Sequence, residues 1–119
     1  MSQKKRILIA DDDPAILDSL ELILEDAGYE VITTGDGAII QDLVQMGPDL
    51  LLLDIWLSGW NGKDICATLK HNEQTKHLPV ILFSASRETE AIARDAGADA
   101  FITKPFELDD LLDTLEQHL

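Results

Sequence analysis

The stretch Leu50-Leu51-Leu52-Leu53, closed by Asp54, constrains the fold more than any other part of the chain. Four leucines in a row read as a strand that is apolar on both faces. Such a strand has to be covered on both sides. That argues for a parallel sheet with helices above and below it.

The remainder keeps the same rhythm. Arg6 to Ala10 reads as a buried strand, Tyr29 to Thr33 as an alternating one, and Val80 to Phe83 as a strand opened by Pro79 and ended at Ser84. Phe101 and Ile102 form a last short strand. Helix-period segments lie between. Asp13 stands where an N-cap would stand, and Pro14 fits the first helical position. Ile16, Leu20, Ile23, Leu24 and Ala27 mark one face of the helix that follows, and Gly28 ends it. Ala38 to Met46 predicts a short helix with Ile39, Ile40, Leu43 and Val44 inward, closed by Gly47-Pro48. A loop with Gly59 and Gly62 leads to a helix from about Lys63 to Lys70, with Ile65, Cys66 and Leu69 inward. A small polar helix from about Glu88 to Ala96 stops at Gly97, and Leu108, Leu111, Leu112 and Leu115 line the final one. Five strands alternating with five helices over 119 residues predict one α/β domain spanning residues 1–119, a doubly wound parallel sheet with helices on both faces.

Charge and composition narrow the function. The net charge of −14 disfavours direct binding of nucleic acid, which needs a basic patch, and favours cations or a basic protein surface. No run of about 18 apolar residues occurs, so no membrane insertion is expected. The basic start Lys4-Lys5-Arg6 leads into only four apolar residues, too few for a signal peptide. The single cysteine, Cys66, cannot form an internal disulfide, which fits a reducing cytoplasm. The chain stops just after its last helix, as a complete single-domain protein or a domain cut from a longer one would.

In open α/β sheets, ligands bind outside the carboxyl ends of the strands. Asp11 and Asp12 follow the first strand here, Asp54 the third, Ser84 the fourth and Lys104 the fifth. Residues distant in sequence therefore converge on one rim. Two carboxylates about 4 Å apart repel by about 4 kcal/mol at an effective dielectric near 20. A hard divalent cation offsets that repulsion, and Mg²⁺ fits because it needs few protein carboxylates and keeps waters. The Lys104 ammonium and the Ser84 hydroxyl can donate to an anion such as a phosphoryl group. A carboxylate beside a metal can attack phosphorus. Asp13 is read as an N-cap, not a ligand. His71, His77 and His118 lack metal-ligand spacing, and the acids of the first helix (Asp18, Glu21, Glu25, Asp26) read as a solvated face. Trp56 and Trp60 fit either a partner surface or loop packing.

The acid pair in ILIADDDP, Asp54 in LLLLDIWLSGWNG, Ser84-Ala85 in VILFSAS and Lys104-Pro105-Phe106 in FITKPF occur in order and at matching spacing. On these residues the chain resembles the receiver domains of two-component response regulators over almost its whole length. The resemblance implies a flavodoxin-like sheet with strand order 2-1-3-4-5. It implies that Asp54 accepts a phosphoryl group from a histidine kinase or a phosphotransfer protein. Asp12 would bind Mg²⁺ directly and Asp11 largely through water, with Asp54 and the backbone carbonyl of Trp56 completing the protein ligands. Lys104 would bridge to the phosphoryl group, and its bond to Pro105 would be cis. Ser84 would swing toward a phosphoryl oxygen and Phe101 would follow inward. That would change the surface of the fourth helix, last strand and last helix, read by a downstream protein or a fused output domain. Trp56 and Ser86 would border the path of an attacking water. The chain departs from the family pattern in three places. Leu57-Ser58 stands where Met-Pro is usual, Phe101 where tyrosine is commoner, and Ser84 where threonine is equally common.

A receiver of this kind catalyses its own phosphorylation and dephosphorylation and turns over no separate substrate. Three other readings compete with this one. A degenerate receiver that binds partners without phosphorylation would not need the intact acid pair, Asp54 and Lys104. A Mg²⁺-dependent phosphatase would need a second acid at the site and a cap over the substrate. A flavin carrier would need a phosphate-cradling loop rich in Ser, Thr and Gly after the first strand, where this chain has three aspartates.

Overall fold

In the computed structural model, residues 4–35, 42–57 and 59–119 are described. Their elements in chain order are β1 (Arg6–Ala10), α1 (Pro14–Asp26), β2 (Glu30–Thr34), α2 (Leu43–Met46), β3 (Leu50–Asp54), β4 (Trp56–Leu57), β5 (Trp60–Asn61), α3 (Gly62–His71), β6 (Val80–Ser84), α4 (Thr89–Ala96), β7 (Ala100–Thr103) and α5 (Leu108–Gln117). Five strands form one sheet in the order β2-β1-β3-β6-β7, and every neighbouring pair is parallel. With the short β4–β5 hairpin set aside, that is the expected order 2-1-3-4-5.

Alternation along each strand divides the core into two layers. Leu51 and Leu53 of β3 pack with Ile65, Cys66 and Leu69 of α3 and Ala93 and Ala96 of α4. Leu50 and Leu52 pack on the other face with Leu20 and Leu24 of α1 and Leu111 and Leu115 of α5. All four leucines are buried, each contributing about 1.5–3 kcal/mol of transfer free energy. The four-leucine strand therefore needs both layers of helices. No helix among the described residues is long and apolar enough to cross a membrane.

Local signals account for the element ends. The Asp13 carboxylate accepts the Ala15 amide as an N-cap, with Pro14 beginning α1. Gly28, at φ +101°, lets the Tyr29 amide reach back to the Leu24 carbonyl. That bond holds Tyr29 in the turn, so β2 begins at Glu30, one residue later than expected. Three residues expected inward are exposed. Ala27 lies past the last turn as the C-cap of α1, Leu108 is the first residue of α5, and Val44 turns outward while Leu43 is buried. Ile39 and Ile40, and the start of the helix expected from Ala38, lie outside the described residues, as does Ser58.

Candidate functional site

Parallel register builds the site. Ala10 pairs with Leu53, Asp54 with Phe83, and Ser84 with Thr103. Asp11 therefore leaves β1 level with Asp54, and Lys104 follows β7 beside the end of β6. All the expected groups sit at the carboxyl edge of the sheet.

Asp11 is 1% exposed. One of its oxygens accepts the Asp13 amide at 2.8 Å and the other accepts the Lys104 ammonium at 2.9 Å. The same ammonium lies 3.8 Å from Asp54 Oδ1 and 4.4 Å from the centre of the Phe83 ring. A cation above an aromatic face gains further stabilisation from the ring electrons. Asp54 is 6% exposed and accepts the Trp56 amide at 3.4 Å. Its carboxyl is pushed up to about 6, chiefly by burial and then by the charge of Asp11; Lys104 and the Trp56 amide pull the other way. Asp12 is exposed at the rim. One oxygen from each of Asp11, Asp12 and Asp54 lies within 4.8 Å of the others, the only such group of three among the described residues.

The neighbouring groups are placed as follows. Ser84 is 2% exposed; its hydroxyl oxygen accepts the Ser86 amide at 3.1 Å, and its carbonyl accepts the Lys104 amide at 2.8 Å. The Lys104–Pro105 bond is cis, as the resemblance implied. Phe101 lies two residues before Thr103 on β7 and is 38% exposed. Trp56 follows Asp54 by two residues and is 58% exposed. His71 and His77 are exposed; His118 is half-buried, with its ring Nδ1 2.9 Å from the Thr114 carbonyl.

The segment after Asp54, expected as a loop, folds as the β4–β5 hairpin. Trp56 pairs with Asn61, and Leu57 with Trp60. Gly62 closes it: its amide bonds the Ile55 carbonyl at 2.7 Å, and a Cβ there would stand 2.7 Å from the Ile55 Cα. No side chain fits, so the glycine holds the hairpin against the end of β3.

Two contributing residues escaped the sequence reading. Phe83 looked like plain core because it stands in an apolar run, yet its ring supports the Lys104 ammonium. Thr89 carried no signal, yet it is fully buried and its hydroxyl donates to the Ser86 carbonyl at 2.7 Å.

Known proteins resemble the chain throughout. The family model for the response regulator receiver domain matches residues 7–116. The DNA-binding dual master transcriptional regulator RpaA of Synechocystis is 42% identical over 110 residues, covering 90% of this chain and 46% of that protein. A CheY-like receiver domain protein from Methanospirillum hungatei superimposes with a TM-score of 0.86 at 34% identity, over 97% of this chain and 93% of its own. The response regulator TrrA of Thermotoga maritima, solved in complex with Mg²⁺-BeF, superimposes with a TM-score of 0.87 at 28% identity, over 97% and 99%. The chain spans about half the length of the curated relatives it matches.

Proposed function

The chain belongs to the response regulator receiver domain family, and from that premise we propose that it is a phosphoryl-accepting switch of a two-component phosphorelay. One observation carries the reading: three carboxylates and one ammonium, from residues as far apart as Asp11 and Lys104, meet on one sheet edge. Close like charges oppose folding, so the cluster makes sense as a site for a cation and a transferred anion.

In this reading a carboxylate oxygen of Asp54 attacks the phosphorus of a phosphohistidine on the donor protein. The P–N bond breaks as the P–O bond forms, and the imidazole leaves with its electron pair and takes up a proton. Water later attacks the same phosphorus. The bond to Asp54 breaks, returning the carboxylate and inorganic phosphate. The Lys104 ammonium, now on Asp11, bridges to a phosphoryl oxygen. The Ser84 hydroxyl turns from the Ser86 amide to donate to another. Phe101 moves inward behind it and alters the surface of α4, β7 and α5.

Three hard carboxylate oxygens within 4.8 Å of one another, opposed by one ammonium, fit a small divalent cation. Asp12 would hold Mg²⁺ directly and Asp11 largely through water, with Asp54 and the Trp56 carbonyl completing the set. Bound there, Mg²⁺ supplies charge neutralisation for the carboxylates and for the phosphoryl oxygens.

The partners are a histidine kinase or a histidine phosphotransfer protein, and a downstream protein or fused output domain, in the cytoplasm. Residues 1–119 form one receiver domain that modifies itself and turns over no separate substrate. The RpaA relative is a DNA-binding protein, but this chain matches under half of it. With a net charge of −14, the chain itself is expected to make no direct contact with nucleic acid.

The test is intact mass after incubation with acetyl phosphate and Mg²⁺. One added phosphoryl group is expected on the wild type and none on Asp54→Asn or when Mg²⁺ is chelated. Labelling of Asp54→Asn at the wild-type rate would remove the assignment.

A further inference from the structure

Ser86 is the centre of a short chain of hydrogen bonds joining Ser84 to α4. Its amide donates to the Ser84 hydroxyl oxygen at 3.1 Å. Its own hydroxyl oxygen accepts the Glu88 amide at 3.1 Å. Its carbonyl accepts the Thr89 hydroxyl at 2.7 Å and, longer, the Thr89 amide at 3.4 Å. Glu88 occupies the N-cap of α4 but makes no side-chain bond to the helix. The first amides of a helix lack intrahelical partners, and here Ser86 meets that need in place of the N-cap residue.

The Ser84 peptide is pinned, because its carbonyl accepts the Lys104 amide at 2.8 Å. Movement at this position is left to the side chain. If the hydroxyl turns toward an anion on Asp54, the Ser86 amide loses its acceptor and the loop must shift to satisfy it. The Ser86 carbonyl is held by Thr89, which is fully buried at the first position of α4. A valine has the same shape, so packing alone does not require the hydroxyl.

We propose that Thr89 is a positioning residue for the switch: its buried hydroxyl ties the Ser86 carbonyl to α4, so that the Ser84 hydroxyl and the start of the helix move together. This rests on the reading of Asp54 as phosphoacceptor and adds the route by which occupancy there reaches α4. The output surface then responds through three hydroxyl side chains, Ser84, Ser86 and Thr89, without help from a hydroxyl at Phe101.

The test uses amide NMR on the full chain, with Mg²⁺ and beryllium fluoride as the phosphoryl mimic. In the wild type, shift changes at Asp54 and Ser84 to Ser86 should continue through Thr89 to Ala96. In Thr89→Val the changes at 84–86 should persist while those along α4 fall by about half or more, and Thr89→Ser should restore them. Equal propagation in Thr89→Val and wild type overturns the proposal. So does a wild type in which Ser86 responds and hydrogen exchange at Glu88 and Thr89 does not change, a result that needs no variant to fold. A wild type with no response at Asp54 or Ser84 defeats instead the phosphoacceptor reading beneath it.

Discussion

Where its strands begin, the sheet gives charges their partners. Arg6 bonds Glu30 at 3.2 Å and the Met46 carbonyl at 2.5 Å, while its amide bonds Asp49 at 2.7 Å. Lys70 bonds the Leu78 carbonyl at 2.8 Å and Asp99 at 2.5 Å, and Asp99 also accepts the Val80 amide at 2.8 Å. Where the strands end, the carboxylates of Asp11, Asp12 and Asp54 crowd within 4.8 Å, and one ammonium, Lys104, lies near two of them. The first end uses charge to hold elements together. The second holds more negative charge than folding alone would select, an excess that the cation proposed for this edge would offset.

The largest expected effect is at the first end. Asp99→Ala removes the acceptor of both a half-buried ammonium and the first amide of β6. Hydrogen bonds to charged groups contribute about 1.5–3 kcal/mol each, and an amide left without a partner adds its own penalty. A loss of about 3 kcal/mol is expected in urea denaturation. A loss below about 1 kcal/mol would show that the two ends differ less than their geometry suggests.

At the other end the sign reverses. Asp54→Asn keeps an oxygen for the Trp56 amide, leaves Lys104 its bond to Asp11, and removes a buried charge whose carboxyl is held near 6 against an ordinary 3.8. At neutral pH and without metal, the variant should be more stable than wild type by about 1–3 kcal/mol. Mg²⁺ should erase the difference, because a cation that binds only the folded state stabilises it by about 2.7 kcal/mol at 100 times its dissociation constant. Thermal melts of both proteins with and without Mg²⁺ decide the matter. Equal Mg²⁺ shifts in the two would place the cation elsewhere.

A smaller effect is kinetic. Trp56 donates its amide to Asp54, two residues away, and carries a large, exposed indole. That ring has one donor and no group that could orient or deprotonate water. Trp56→Asn should therefore release phosphate about 10-fold faster, equivalent to about 1.4 kcal/mol in the barrier. A phosphate-release assay after removal of the phosphodonor reads it directly. An unchanged rate would mean that the indole serves a partner surface instead of screening the acyl phosphate.

The same contrast explains what could be seen in the sequence. The placement of these groups at the carboxyl edge was legible because strand ends are visible as the first polar residue after an apolar run: Asp11, Asp54, Ser84. Parallel pairing then aligns them without further information. The N-terminal edge was not legible. Lys70 and Asp99 are 29 residues apart, and no local signal links a lysine in the last turn of α3 to an aspartate in a turn. The β4–β5 hairpin was missed because two-residue strands carry no periodicity. Val44 and Leu108 were misplaced because a hydrophobic residue in the first turn of a helix fits the apolar pattern whether or not the sheet extends beneath it.

The smallest expected effect tests whether pairing at the first end is uniform. Arg6 and Glu30 form an ion pair, but their side chains are 37% and 50% exposed, against 15% and 36% for Lys70 and Asp99. Exposed pairs contribute about 0.2–1 kcal/mol, because water screens the attraction and two long side chains lose freedom. Arg6 also keeps the Met46 carbonyl when Glu30 is neutralised. Glu30→Gln should therefore lower stability by about 0.5 kcal/mol or less at low salt. At 1 M salt, where screening acts over about 3 Å, the difference should vanish. Asp99→Ala should keep most of its effect under the same conditions, since a bond to a backbone amide does not depend on ionic strength in that way. Urea midpoints for both variants at the two salt concentrations separate the cases. If Glu30→Gln instead costs as much as Asp99→Ala and resists salt, exposure is the wrong measure of which pairs hold this edge, and the contrast between the two ends must be drawn from hydrogen-bond geometry alone.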